Sequence, residues 1–461
     1  MNASTRHPRG ARRRSSAYAA SAACGLALAV AGLTSAGPAL AAATPSPWTT
    51  GLPTPAASVA PSASVGGPKL ASMGITTDLS PGTPAPPVMH DVAWLVADLD
   101  TGEVIAAKAP HARLAPASTL KTLASLVLLP RIDPKKSYAA EASDAQADGT
   151  RIGLVPGQLY SGTQLFQAML MGSANDAVYM LSRINGGIPA TLAEMNAKAK
   201  DLGALDTHAG NPSGLDAPGQ SSSAYDLALF GRAAMHLSAF RTYDTTLTVP
   251  FPGKPVPKAT PTTSRTTSPT AKAPIIVDAA GVKRQTYALS NHNTLLFNYP
   301  GTIGGKDGFT DQAHRTYISI ARRDGHTYIA TEMGGTDYQQ WRPTARLLDW
   351  AFANGSKAAA IGRLVEPGEV AAAASAAAAS ASASSASASS ASASSAAAAA
   401  AVSAADRSAT GNPAAAALHL RPGTDGTATL LVGTGGLAAA AILGALGVRR
   451  ARRHNSYPPR H

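Results

Sequence analysis

The segment 371–401 contains only alanine and serine, and it limits the fold of this chain more than any other feature. Such a run has no hydrophobic face to bury against a core. We therefore interpret 357–426 as an Ala/Ser-rich linker. Residues 42–85, rich in Pro, Ser, Ala and Gly, predict a disordered stem. The foldable part is then 86–356, with a Pro/Thr-rich loop inserted at 252–274.

The net charge of +12 is concentrated at the two ends of the chain. Residues 1–41 contain five arginines and no acidic residue, and residues 449–461 contain five more arginines and no acidic residue. Subtracting these ten arginines from +12 leaves +2 for everything between. The positive charge therefore indicates membrane topology rather than a nucleic-acid partner.

Both ends have the pattern of membrane-directed segments. Three arginines, Arg12–Arg14, precede an apolar stretch and small residues, which predicts a signal peptide over 1–41. A retained first membrane helix is the alternative. Residues 427–448 carry no charge and are followed by the basic tail 449–461, which predicts a transmembrane helix with a cytoplasmic tail and the domain outside. A buried core helix is the alternative there.

The single cysteine, Cys24, lies inside the predicted signal peptide. Ser21 stands three positions before it, where a lipid-attachment site would have an aliphatic residue. We therefore expect a mature protein without a disulfide, a thiol nucleophile or a thiolate metal site.

The hydrophobic pattern between the ends predicts an α+β domain. Apolar runs at 92–99 and 103–106 flank a Thr-Gly turn and predict a β-hairpin, and runs at 317–321 and 327–331 predict another. Strands from both ends of the domain, with helices between them, indicate one sheet built from the two chain segments. The predicted helices are Thr119–Leu129, Thr163–Asn185 (interrupted by a short loop after Met171) and Thr191–Leu202.

The first candidate site is Ser118-Thr119-Leu120-Lys121. Residues three apart on a helix share a face, so Lys121 can reach the Ser118 hydroxyl. Serine is a weak nucleophile until a neighbouring base takes its proton, and a buried lysine beside other cations can be that base. Taken alone, this spacing is typical of a helix-capping serine with an exposed lysine.

Two further polar clusters follow. Ser173-Ala174-Asn175 lies between two apolar helical stretches, where a short loop can present a hydroxyl and an amide to a cleft. Gly304–Thr310 places Lys306 among glycines that allow close approach of a substrate backbone. Each cluster alone is more typical of a polar helix connection or a glycine-rich turn.

In this order, the three clusters resemble the S-x-x-K, S-D-N and K-T-G set of β-lactamases and penicillin-binding proteins. The chain resembles the low-molecular-mass D-alanyl-D-alanine carboxypeptidases over about 86–356. That resemblance implies a β-lactamase/transpeptidase-like antiparallel sheet flanked by helices. The segments that carry it are Pro116–Lys121, Ser173–Ala177, Asn211–Asp216, Ser222–Ala228, Asn291–Leu296, Lys306–Thr310 and Met333–Gly335.

The resemblance implies a role for each candidate residue. Ser118 would be the acylated nucleophile, with Lys121 as its general base, and Ser173 and Asn175 would line the cleft. The expected substrates are peptidoglycan stem peptides ending in D-Ala–D-Ala, and β-lactam antibiotics would acylate the same serine. No cofactor is expected.

The substrate side of the cleft would be formed by four consecutive residues, Lys306, Asp307, Gly308 and Phe309. Lys306 would face the terminal carboxylate, and the backbone N–H groups of Ser118 and Phe309 would form the oxyanion hole. Asp307 replaces the family's threonine. An ionised aspartate repels a substrate carboxylate unless it turns away and pairs with a cation such as Arg315.

Other functions need features that the sequence supplies poorly. A class A β-lactamase needs a glutamate-activated water, and Glu194 is the only glutamate between the second and third clusters. Loss of the family threonine leaves a non-catalytic peptidoglycan-binding protein as an alternative. The eleven histidines do not have the spacing of a metal site, and we interpret His292 as a hydrogen-bonded structural residue. We also expect no β-rich domain after the catalytic one.

Overall fold

The computed structural model describes residues 64–256 and 274–408, with side chains up to 401. The chain divides into two compact units, of which the first ends at Ser382 and the second begins at Ala383. In the described residues the strands are β1 (Ile75–Thr77), β2 (Ala93–Asp98), β3 (Glu103–Lys108), β4 (Ser137–Ala139), β5 (Leu159–Ser161), β6 (Thr248–Pro255), β7 (Ile275–Val277), β8 (Lys283–Ser290), β9 (Thr302–Thr310), β10 (His314–Arg323), β11 (His326–Gly335) and β12 (Gly362–Arg363). The α-helices are α1 (Leu120–Leu128), α2 (Ala142–Ala145), α3 (Gly162–Met171), α4 (Asn175–Ile184), α5 (Ile188–Asp201), α6 (Ala224–Met235), α7 (Ser238–Thr245), α8 (Leu295–Asn298), α9 (Trp341–Asn354) and α10 (Glu369–Ser408).

The main sheet is antiparallel and has the strand order β1-β3-β2-β11-β10-β9, with β12 pairing β3. Both predicted hairpins are confirmed, as β2–β3 and as β10–β11. The two hairpins meet where β2 pairs β11. The sheet is therefore built from the two ends of the domain, as the hydrophobic pattern indicated.

Strand β2 is apolar and buried from Ala93 to Ala97 because both of its faces are covered there. Leu95 and Ala97 pack into the larger core with α1, α3, α4 and α6. Trp94 and Val96 pack into a second core with Leu347 and other side chains of α9. Side chains of a strand alternate between faces, so helices must cover both sides of this sheet.

The predicted helices are present with small shifts at their ends. Thr119–Leu129 corresponds to a 3₁₀ turn over Ala117–Thr119 followed by α1, and Thr191–Leu202 corresponds to α5. The predicted helical region Thr163–Asn185 forms α3 and α4, separated at Ser173, which has a φ of 53°. That left-handed conformation ends α3 and turns the chain into α4.

The predicted domain boundaries at 86 and 356 are too narrow. Residues 75–77, assigned to the disordered stem, form β1 and pair with β3. Residues 361–365, assigned to the linker, include β12 and the buried side chains of Leu364 and Val365. The physical reason is that strand pairing and a few apolar contacts fix short segments whose average composition favours disorder.

His111 attaches the N-terminal extension to the core. Its Nε2 lies 3.0 Å from the Val65 carbonyl, and its Nδ1 lies 2.7 Å from the Asp206 carboxylate. Burial by itself lowers the pKa of His111, but the Asp206 hydrogen bond and charge outweigh burial and raise it. A protonated ring can donate to both acceptors, and these two contacts attach the extension at Val65 to the core.

The low-complexity segments differ from the predictions in part. Pro252–Pro255, assigned to the inserted loop, belongs to β6 and pairs with β8, while 257–273 lies outside the described residues. The Ala/Ser segment lies in α10, and its side chains are exposed from 371 to 401. Alanine has the highest helix propensity, which accounts for a helix without a buried face.

The predicted membrane-directed segments lie at the two ends of the chain. The signal peptide over 1–41 with Cys24, the transmembrane helix over 427–448 and the tail at 449–461 lie outside the described residues. Within 64–256 and 274–408, no helix is both long enough and apolar enough to span a membrane.

Candidate active site

A strained turn presents Ser118. The turn Ala117–Thr119 precedes α1, and Ala117 has a φ of 48°, which is costly for a residue with a side chain. The Pro116 carbonyl accepts hydrogen bonds from the hydroxyls of Thr119 at 2.5 Å and Thr316 at 2.8 Å. These two bonds, one local and one from strand β10, hold the turn in place.

Lys121 lies within hydrogen-bond distance of the Ser118 hydroxyl. Its Nζ donates to Ser118 Oγ at 2.9 Å and to the Ser213 carbonyl at 2.7 Å, and its side chain is fully buried. Burial lowers the pKa of Lys121 well below its ordinary value, and the Lys306 charge lowers that pKa further, against opposing effects of Asp307 and Asp176. A neutral amine in this position can accept the Ser118 proton.

The loop at 211–216 positions the carbonyl that Lys121 contacts. Asn211 Oδ1 accepts from the backbone N–H groups of Ser213 at 3.1 Å and Gly214 at 2.8 Å. A Cβ at Gly214 would lie 1.8 Å from the Ala117 carbonyl oxygen, so the loop approaches the turn closely only because this residue is glycine. The sequence resemblance included this loop but gave no role for it.

The second cluster forms the connection between α3 and α4. Ser173 and Asn175 are both buried, and Asn175 Nδ2 donates to the Asp148 carbonyl at 2.6 Å. Within the described residues, Asn175 Oδ1 is buried without a hydrogen-bond partner, and the Ser173 hydroxyl makes no hydrogen bond to Ser118 or Lys121. The Asn175 amide oxygen is therefore an unsatisfied acceptor buried next to Ser173.

Asp176 organises the wall beside this cluster, which the sequence did not indicate. Its carboxylate accepts from the backbone N–H groups of Ile152, Gly153 and Leu154 at 3.1, 2.8 and 3.0 Å. Three N–H donors satisfy a buried carboxylate and fix the loop at 152–154 against α4. The signal available from sequence was an aspartate in the first turn of an amphipathic helix, which is too common to single out.

The third cluster lies on β9, the last strand in the order of the main sheet. A Cβ at Gly308 would lie 2.7 Å from the Ser118 backbone nitrogen and 3.0 Å from the Ala117 Cβ. The edge strand therefore passes directly beside the turn that carries Ser118. Thr310 Oγ1 donates to Asp216 Oδ1 at 2.8 Å and links this strand to the loop at 211–216.

Lys306 and Asp307 form an ion pair with each other. Lys306 Nζ donates to Asp307 Oδ1 at 2.8 Å and to the Asp307 carbonyl at 2.8 Å. Burial by itself raises the pKa of Asp307, but the Lys306 charge and hydrogen bond outweigh burial and hold that pKa below its ordinary value. Pairing with a nearby cation was the alternative left open by the sequence; the cation is Lys306 rather than the Arg315 named there as an example.

Two supporting residues were not predicted from sequence. Thr316 is a buried polar residue on a strand that also carries histidine, arginine and serine, so the sequence offered no distinct signal for it. Asp244 Oδ2 accepts from the Gly305 N–H at 2.6 Å, and burial raises the pKa of Asp244 to about 7. The His292 side chain makes no hydrogen bond within the described residues, although its backbone N–H donates to the Met171 carbonyl at 2.8 Å.

Together these contacts define a class of protein. Ser118 hydrogen-bonds a buried lysine of lowered pKa, at the start of a helix and beside a glycine on the last strand of the sheet. This is the arrangement of a serine hydrolase or transferase that works through an acyl-enzyme.

Comparison with known proteins identifies the family. A model of the S11 peptidase family, described as D-alanyl-D-alanine carboxypeptidase, matches residues 81–251. The D-alanyl-D-alanine carboxypeptidase DacB2 of Mycobacterium tuberculosis is 36% identical over 268 residues, which cover 56% of this chain and 81% of that relative. DacF of Bacillus subtilis is 28% identical over 260 residues, which cover 55% of this chain and 60% of DacF. The chain belongs to the D-alanyl-D-alanine carboxypeptidase family.

Solved structures agree with this assignment. The crystal structure of a D-alanyl-D-alanine carboxypeptidase from Mycobacterium tuberculosis matches with a TM-score of 0.54 and 34% identity, covering 63% of this chain and all of that one (100%). The DD-transpeptidase of Streptomyces K15 matches with a TM-score of 0.52 at 22% identity, which shows the fold alone. The predicted α+β transpeptidase-like fold is confirmed.

Proposed function

We propose that this protein is a serine-type D-alanyl-D-alanine carboxypeptidase that removes the terminal D-Ala of peptidoglycan stem peptides. The observation that carries the proposal is the 2.9 Å hydrogen bond between the buried Lys121 amine and the Ser118 hydroxyl. Membership of the family supplies the substrate class. Penicillin is expected to acylate the same serine.

The geometry suggests how the reaction proceeds. Lys121 takes the Ser118 proton as Oγ attacks the carbonyl carbon of the scissile bond. The backbone N–H groups of Ser118 and Phe309 stabilise the developing oxyanion. The Lys121 ammonium then protonates the leaving amine of D-Ala, and water hydrolyses the acyl-enzyme. Ser173 and Asn175 are assigned to the cleft wall, where a hydroxyl and a free amide oxygen can orient the peptide.

The decisive experiment is incubation of the full chain with labelled penicillin, followed by peptide mapping. The expected adduct is on Ser118, with release of D-Ala from a D-Ala–D-Ala peptide in a parallel assay. An adduct on another serine would reject the assignment of the nucleophile. Acylation without peptide hydrolysis would favour the non-catalytic binding protein.

A β-lactamase-like function is less well supported. The Glu194 carboxylate lies on α5 and is engaged by Arg131 at 2.7 Å and by Asn185 Nδ2 at 2.7 Å. A carboxylate already bonded to an arginine and an amide is a poor base for a deacylating water. Rapid turnover of penicillin, in place of a stable adduct, would favour that function.

For location, we propose a single-pass membrane protein with its catalytic domain on the cell-wall side. The support is the placement of charge. The uncharged segment 427–448 precedes five arginines, and the apolar stretch of the predicted signal peptide follows five other arginines. Protease added to intact cells should remove the catalytic domain and spare an epitope tag on the C-terminal tail. A catalytic domain protected from the protease would overturn the orientation.

A further inference from the structure

The positive charge expected to receive the substrate carboxylate is already paired within the chain. Lys306 donates to both the carboxylate and the carbonyl of Asp307, and its side chain is 1% exposed, against 37% for Asp307. A carboxylate that approaches from solvent therefore meets the more exposed acid first. The Asp307 carboxylate repels the substrate carboxylate, so Lys306 alone is a weak anchor for the substrate.

A second cation lies on the neighbouring strand without an acidic partner. The Arg315 guanidinium carbon is 5.4 Å from the ring centroid of Phe309 and 5.4 Å from that of Tyr338. Within the described residues, the Arg315 side chain makes no ion pair and no hydrogen bond. Aromatic faces hold a guanidinium in place while its N–H donors, which lie in the plane of the group, stay free.

The arginine is positioned to serve the cleft. Arg315 is paired directly with Phe309 in the β9–β10 register, and Phe309 follows the glycine that borders the Ser118 turn. Phe309 and Asp307 are two residues apart and share a face of β9, so Arg315 is a diagonal neighbour of Asp307. A long guanidinium side chain spans that separation.

The ring residues are exposed rather than packed in the core. Phe309 is 57% exposed and Tyr338 is 86% exposed, so this aromatic pair contributes little to the core of the domain. A cation held near two exposed rings, on the strand next to β9, has the features of a ligand contact. It presents a planar group that matches a carboxylate through two parallel hydrogen bonds.

We infer that Arg315 recognises the substrate's terminal carboxylate, with Phe309 and Tyr338 as positioning residues, because Asp307 occupies Lys306. The inference rests on the proposed carboxypeptidase function and names the specificity-determining residue for it. Neutralising Asp307 should return part of this role to Lys306.

The test compares probes that differ only in the carboxylate. Penicillin G and its methyl ester are reacted with the full chain, and the second-order acylation constants are expressed as an acid-to-ester ratio. Arg315→Gln should lower this ratio about 10- to 100-fold, the range for a lost charged hydrogen bond, while the constant for the ester changes less than about twofold. Tyr338→Ala should lower the ratio by a smaller factor.

Two controls keep the result specific. Arg322→Gln removes an exposed arginine from the same strand and should leave the ratio unchanged. Adding Asp307→Thr to Arg315→Gln should restore part of the ratio, because Lys306 becomes free. An unchanged ratio in Arg315→Gln, or an equal loss with acid and ester, would overturn the inference.

The proposed function fails separately. If penicillin acylates Ser118 with an Arg315-dependent ratio but no D-Ala–D-Ala peptide is hydrolysed, carboxylate recognition stands and the carboxypeptidase function does not. If neither probe acylates the wild-type chain, both are rejected.

Discussion

Replacing Gly308 with alanine should separate the edge strand from the nucleophile. An added Cβ would lie 2.5 Å from Thr316 Oγ1, 2.7 Å from the Ser118 nitrogen and 3.0 Å from the Ala117 Cβ. Two of these separations are shorter than real Cβ contacts, and one involves backbone that cannot rotate away. The strand and the turn must therefore move apart by several tenths of an ångström.

The cost can be estimated for activity and for stability. A displacement approaching 1 Å between reacting groups costs about 10²-fold in rate, and loss of one oxyanion donor costs ~10²–10³-fold. We expect penicillin acylation of Gly308→Ala to be about 10²-fold slower. Overpacking costs about 1–3 kcal/mol, so the melting temperature should fall by roughly 2–12 °C.

The measurement is the second-order acylation constant of the full chain, taken well below the melting temperature of the variant. Gly74→Ala is the matched control, because its Cβ would meet no atom closer than Ser72 Oγ at 3.8 Å. The control should acylate at the wild-type rate. Acylation of Gly308→Ala within about threefold of wild type would refute the close approach of strand and nucleophile.

Four further predictions follow from the site. Lys121→Ala should slow acylation by about 10²–10⁴-fold without unfolding the domain, measured by stopped-flow with a chromogenic β-lactam, and near-normal acylation would identify another base. Asp307→Thr should move the acid limb of the pH–rate profile of acylation to lower pH. The Asp307 charge raises the pKa of Lys121, so its removal lets Lys121 lose its proton at a lower pH. An acid limb that stays in place would show that the two charges are not coupled. Thr316→Val removes one of the two hydroxyls on the Pro116 carbonyl and should slow acylation more than it lowers the melting temperature; the reverse order would assign Thr316 a purely structural role. Burial raises the pKa of Asp244 to about 7, so the stability that its neutral form contributes is complete below about pH 4 and is lost as pH rises through 7. Asp244→Asn should reduce this pH-dependent loss in the free energy of unfolding, measured by chemical denaturation, by on the order of a few kcal/mol. An unchanged dependence of the unfolding free energy on pH would contradict the assignment.

The sequence by itself determined the elements whose cause is local. The two hairpins follow from apolar runs around short turns, and the break at Ser173 follows from a polar loop between apolar helices. The Ser118–Lys121 pair is a matter of helical spacing, since residues three apart in a helix meet wherever the helix is placed. Composition indicated segments without a core, but it misplaced their ends, because β1 and β12 are fixed by pairing with β3.

Only the tertiary structure decided how the site is supported and charged. Thr316 reaches the Pro116 carbonyl across 200 residues of chain, and no local pattern encodes that contact. Asp307 was correctly singled out as unusual, but its partner depended on which cation lay nearer in space. The lowered pKa of Lys121 likewise arises from burial and from Lys306, which long-range folding brings close. Spacing along a helix or strand is set by backbone geometry, whereas burial and charge pairing depend on the whole fold.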